Sequence, residues 1–103
     1  MFLSGPNCIV KNNTVQAAHT GIICQAGCVV SGNTVSSGIM VAIAAANSSL
    51  VVGNTATAAG SVALVADDTT GYAQNVLNGF QADVRGGVQV GENLCVTSKI
   101  CLP

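Results

Sequence analysis

Aromatic side chains are nearly absent: Phe2, Phe80 and Tyr72 are the only ones in 103 residues, and there is no tryptophan. The apolar half of the chain is therefore built from Val, Ile, Ala, Leu and Cys. Small and β-branched residues suit a narrow space between closely set sheets, whereas a helical bundle would call for more Leu, Glu and Lys. Charge is equally scarce. Three basic residues, Lys11, Arg85 and Lys99, and a net charge of −1 supply no positive cluster to displace the counterions of a nucleic acid. The same shortage argues against an anionic membrane surface. The longest apolar run, Ile39 to Ala46, has 8 residues, far short of the roughly 20 needed to span a bilayer. Met1 to Pro6 lacks both a basic start and an apolar stretch, so no signal peptide is read there. Nothing points to a cofactor.

Five cysteines stand at positions 8, 24, 28, 95 and 101, an odd number that cannot all pair within one chain. Cys24 and Cys28 lack the second pair or histidine cluster that would complete a zinc site. Most are expected to be small buried hydrophobes. Cys95 and Cys101, which flank a tail that needs fixing, are the best candidates for a disulfide.

What is abundant is repetition. Asparagine recurs at Asn13, Asn33, Asn54, Asn75 and Asn93, with spacings of 20, 21, 21 and 18 residues inside matching text: CIVKNNTV, CVVSGNTV, SLVVGNTA, TGYAQNVL and VQVGENLC. Alternate strand residues face the same side, so the columns can be read. Five residues before each Asn stand Cys8, Cys28, Ser49, Thr70 and Val88, and three before stand Val10, Val30, Val51, Tyr72 and Val90. Two after stand Val15, Val35, Ala56, Leu77 and Cys95. All three columns are expected to face inward. A further strand follows in each repeat: Gly21-Ile22-Ile23, Val41-Ala42-Ile43, Val62-Ala63-Leu64 and Ala82-Asp83-Val84. Short strands joined in register by Gly, Asn and Ser corners describe a solenoid.

The fold expected is all-β: one right-handed parallel β-helix domain over 1–103, with four to five coils of about 21 residues. The coils fall near 7–26, 27–47, 48–68, 69–86 and 87–95, followed by a tail over 96–103. Asparagine tolerates the left-handed backbone of a sharp corner, and its amides can hydrogen-bond along a stack as an Asn ladder. That periodic role already accounts for the five asparagines structurally.

The recurring C-x-V-x-G-N-T-V text resembles the parallel β-helix repeat proteins of the pectin-lyase-like superfamily, and the ending from Gly86 to Cys95 and on to Pro103 resembles the C-terminal end of such proteins. The resemblance covers nearly the whole chain from Asn7 and is specific for fold rather than activity. It implies that a parent protein could be secreted and could act on polysaccharide. Members of that superfamily usually start with an amphipathic helix that plugs the stack. Here the first coil begins within a few residues of Met1, with no evident N-terminal cap, so the chain reads as the C-terminal segment of a longer repeat protein. Unpaired strand edges invite another chain.

No catalytic constellation emerges. Asp67-Asp68 read as a solvated turn. Asp83 and Arg85 flank the inward Val84, so both are expected outward, as an acid–base or ion pair, with no second carboxylate one coil away for glycosidic chemistry. His19 lacks a nucleophile partner. Outward Thr14, Thr34 and Thr55, with Gln16, Ser36 and Thr57 two residues on, resemble a short version of the threonine arrays of ice-binding β-solenoids. The column Ile9, Val29, Leu50, with Val52 beside it, is expected to form an exposed aliphatic face. With Phe2 and Leu3 of the N-terminal coil, these residues are the expected interface. The functional expectation is a non-enzymatic structural or interaction module that forms a homo-oligomer. The alternative is a carbohydrate-binding or remnant carbohydrate-active module, and a metal site through Cys24 and Cys28 or Asp67 and Asp68 is a third reading.

Overall fold

A computed structural model describes residues 2–3, 7–97 and 101, with residues 2 and 3 described by their backbone pairing alone. Strands follow one another as β1 (Phe2–Leu3), β2 (Ile9–Lys11), β3 (Thr14–Ala17), β4 (Ile22–Cys24), β5 (Val29–Ser31), β6 (Thr34–Ser37), β7 (Ile43–Ala45), β8 (Leu50–Val52), β9 (Thr55–Ala58), β10 (Val62–Ala66), β11 (Gly71–Ala73), β12 (Val76–Gly79), β13 (Ala82–Arg85), β14 (Val88–Gln89) and β15 (Leu94–Cys95). Every third strand pairs in parallel. Sheet A runs β1-β4-β7-β10-β13, sheet B β14-β11-β8-β5-β2, and sheet C β15-β12-β9-β6-β3. The chain is thus a parallel β-solenoid of about four turns of ~21 residues, each coil contributing one short strand to each of three walls.

The walls exist because alternate residues are apolar. Inward rows run Val10-Val30-Val51-Tyr72 on sheet B, Val35-Ala56-Leu77-Cys95 on sheet C, and Ile22-Ile43-Leu64-Val84 on sheet A, all buried. Each fully buried Val, Leu or Ile contributes roughly 1.5–3 kcal/mol of transfer free energy. Tyr72 is the largest side chain in the core, and its hydroxyl has no hydrogen-bond partner among the described residues. Burying a hydroxyl unpaired costs about 1–3 kcal/mol. Tyr72→Phe is therefore expected to stabilise the fold by about 1–2 kcal/mol, read as a melting temperature raised by roughly 5 °C or more in calorimetry.

Asparagine occupies the corner between sheets B and C in every coil. The side-chain oxygens of Asn33, Asn54, Asn75 and Asn93 accept from the coil below. The Oδ1 of Asn54 accepts from the backbone N and the Nδ2 of Asn33, both at 2.9 Å, and the Oδ1 of Asn75 accepts from N and Nδ2 of Asn54 at 2.9 and 3.0 Å. The pattern extends from Asn13 to Asn33 and from Asn75 to Asn93. The amides also donate to core carbonyls: Asn33 to Val10, Asn54 to Val30 and Asn75 to Val51. The left-handed backbone lies one position earlier than the sequence suggests. It falls on Asn12 (φ 57°), Gly32 (65°), Gly53 (67°) and Gln74 (56°), which turns the following Asn inward.

The last coil departs from the expected register. Tyr72 pairs with Gln89, not Val90, and Gly71 pairs with Val88. Val88 and Val90 are consequently exposed, at 46% and 60%, rather than inward. The repeat here is 18 residues long. Gly86 and Gly87, both at positive φ (77° and 81°), make a short turn from sheet A to sheet B, so counting back from Asn93 misplaces β14 by one. A one-residue slip exchanges the two faces of a strand.

Candidate interaction surfaces

Three outer faces present three different chemistries. On sheet B, Ile9, Val29, Leu50, Gly71 and Val88 stand in one row. Ile9 is 72% exposed, and Val29 and Leu50 are 37% exposed each. Gly71 leaves a gap in the row that the next coil fills. The Val90 methyls lie 3.3 Å from where a Gly71 Cβ would stand, with a Leu50 methyl at 3.6 Å. The apolar ridge is thereby continuous over all five strands. Beside it runs the row Lys11-Ser31-Val52-Ala73, with Val52 half-buried. Phe2 and Leu3 pair through their backbone with Ile23 and Cys24, and their side chains lie outside the described residues.

On sheet C the outward rows are Thr14-Thr34-Thr55-Val76-Leu94 and Gln16-Ser36-Thr57-Asn78. Hydroxyls therefore occupy the lower coils, and aliphatics end the first row. On sheet A a shallow groove of about 420 Å³ runs over Ile23, Ala44 and Val65, rimmed by Gln25, Asn47 and Asp67.

The charged candidates separate. Asp83 is buried rather than outward, and its Oδ1 accepts from the Gly79 amide at 2.9 Å. It stands opposite Ala63, because Val62 pairs with Ala82 and Leu64 with Val84. That position belongs to the corner between sheets C and A, where the backbone turns and two successive residues, Asp83 and Val84, face in. Arg85 alone is exposed, so the two do not share an outward face.

Asp67 and Asp68 also divide. Asp67 ties the corner between sheets A and B: Oδ1 accepts from the Thr69 amide (3.1 Å) and from the Thr69 and Thr70 hydroxyls (2.9 Å each), and Oδ2 from the Asn47 amide at 2.8 Å. The Asn47 amide, helped by the two threonines, holds its carboxyl down at about 2, below the ordinary value of 3.8. A carboxyl whose folded pKa is depressed stabilises the fold above its unfolded pKa and loses that contribution as pH falls through the folded one. Melting temperature is expected to fall between about pH 4 and pH 2, and Asp67→Asn should flatten that fall in a pH series of thermal melts. Asp68 is exposed. The Asp-x-Thr-Thr spacing was the available signal for this tie.

His19 is exposed, and its backbone carbonyl accepts from the buried Ser37 hydroxyl. Cys24 and Cys28 form a disulfide across the corner between sheets A and B, and Cys95 pairs with Cys101. The first pair takes both thiols out of the metal reading. Cys8 is half-buried in the row beneath Cys28. Among the described residues no three His, Cys, Asp or Glu side chains gather.

Fold and surfaces together define a parallel β-solenoid with an aliphatic, a hydroxyl-bearing and a grooved wall. Compared with known proteins, the chain matches no family model, no curated protein and no solved structure.

Proposed function

We propose that the chain is a non-enzymatic structural or interaction module that associates with copies of itself. The observation that carries this reading is the in-register ridge of exposed aliphatics on sheet B, Ile9 to Val88. Contiguous apolar surface of this kind marks contact sites, and a surface with so few charges does little to oppose association. A second route is the N-terminal coil, where β2 and β3 are the end strands of sheets B and C among the described residues, and an end strand is a place for another chain to pair. The C-x-V-x-G-N-T-V rows support kinship with the pectin-lyase-like repeat proteins, and two disulfides suit an oxidising environment.

Sedimentation velocity and light scattering across the micromolar range test the reading. A concentration-dependent dimer or larger species is expected. A protein that stays monomeric throughout would overturn it.

A further inference from the structure

The geometry points to a specific partner for the sheet B ridge: a second copy of this chain, packed face to face with its solenoid axis antiparallel. This rests on the self-association reading and adds the partner's orientation and the residues that fix it.

The argument comes from where the few charges lie. Lys11 is exposed and belongs to the outward row of sheet B in the first coil. In successive coils the carbonyls of Ser31, Val52 and Ala73 accept from the amides of Asn12, Gly32 and Gly53. In the last coil that place is taken by the carbonyl of Glu92, which accepts from the Gln74 amide. Glu92 therefore stands at the same edge of sheet B as Lys11, and it too is exposed. The two are separated by four strand spacings, about 19 Å, so they cannot pair within one chain. The wall carries a cation at one end of one edge and an anion at the other.

Two isologous arrangements lay the straight ridge along its own copy. With the two-fold axis parallel to the solenoid axis, each coil meets its own copy and the edges exchange. Lys11 would then meet the corner at Asn7, which carries no charge, and Glu92 the corner at Gly86 and Gly87, beside the exposed Arg85 that ends β13. With the two-fold axis along the strands, the first coil meets the last and the edges are kept. Lys11 of each copy then faces Glu92 of the other, forming two charge pairs per dimer. In the same arrangement Ile9 meets Val88, Val29 meets the Gly71–Val90 position, and Leu50 meets its own copy on the axis. Only the antiparallel form gives Lys11 an anion and so pairs both charges of this wall, and the aliphatic row supplies the buried surface between the paired ends.

Zero-length carbodiimide cross-linking of a mixture of ¹⁴N- and ¹⁵N-labelled protein tests this directly. An isopeptide joining Lys11 to Glu92 between differently labelled chains is expected in the dimer fraction. Lys11→Glu and Glu92→Lys should each weaken dimerisation about tenfold, and the double variant should recover it, with melting temperatures unchanged at concentrations low enough to keep the protein monomeric. Leu50→Asp should abolish dimerisation. A dimer that lacks the Lys11–Glu92 link and ignores both charge reversals would overturn the antiparallel arrangement while leaving self-association standing. Monomer at all concentrations would overturn both.

Discussion

Replacing Asn54 by alanine is expected to remove about 3–5 kcal/mol of stability, a large part of the 5–15 kcal/mol available to a domain of this size. Asn54 is buried at the middle of the corner. Its amide donates to the Val30 carbonyl at 2.8 Å, to the Val52 carbonyl at 3.1 Å and to the Asn75 oxygen. Its own oxygen satisfies the backbone and side-chain nitrogens of Asn33. Truncation strands the buried Asn33 backbone amide without water, at about 1–3 kcal/mol, and also removes an acceptor from the Asn33 side chain and a donor from the Val30 carbonyl, at about 1 kcal/mol each. Asn54→Asp keeps the shape but can only accept, so it faces a carbonyl and an amide oxygen with no proton to offer. It should be at least as damaging at neutral pH. Asn13, half-buried at the end of the row, should cost only about 1 kcal/mol on the same change. Urea denaturation of the three variants gives the comparison. Equal losses at positions 13 and 54 would show that stacking within the row does not carry the effect.

Gly86→Ala is expected to be as severe, for a backbone reason. Gly86 holds φ at 77°, where an L-residue costs about 1–2 kcal/mol, and an added Cβ would run into the Ala66 carbonyl oxygen of the coil below. Nothing flexible stands there to yield, so β14 must shift away from β11. The expected loss is about 3 kcal/mol or more, with faster amide exchange in the last coil. Gly53 provides the control. Its φ is 67°, but its nearest neighbour, the Gly32 amide nitrogen, lies 3.9 Å from an added Cβ. Gly53→Ala should therefore show the conformational cost alone, about 1 kcal/mol. Similar losses at both glycines would mean that the contact with Ala66 is relieved locally.

The solenoid was legible in the sequence because its period is written many times over. Five asparagines with aliphatic neighbours at fixed offsets set which residues of the first four coils face inward: Val30, Val35, Val51, Ala56, Tyr72 and Leu77 are all buried. The aliphatic row Ile9-Val29-Leu50 was legible for the same reason, since strand alternation places it opposite the core.

Where the period breaks, only the tertiary structure decides. The short final repeat puts Val88 and Val90 on the outer face, and the choice between two registers depends on how Gly86 and Gly87 turn over Ala66. That same shift makes Val90 complete the outer ridge over Gly71, a contact between residues 19 positions apart that no periodicity encodes. Simple alternation places Asp83 outward. It is buried because the corner between sheets C and A interrupts alternation and leaves the Gly79 amide in need of an acceptor. The Cys24–Cys28 bridge likewise follows from the corner that folds the two residues together. By itself the sequence determined the repeat, the walls and their inward rows, because those follow from local alternation. The packing of one coil on the next decided the last register, the buried carboxylate and the full extent of the aliphatic face, because each depends on a neighbour about one repeat away or on a corner that local alternation does not specify.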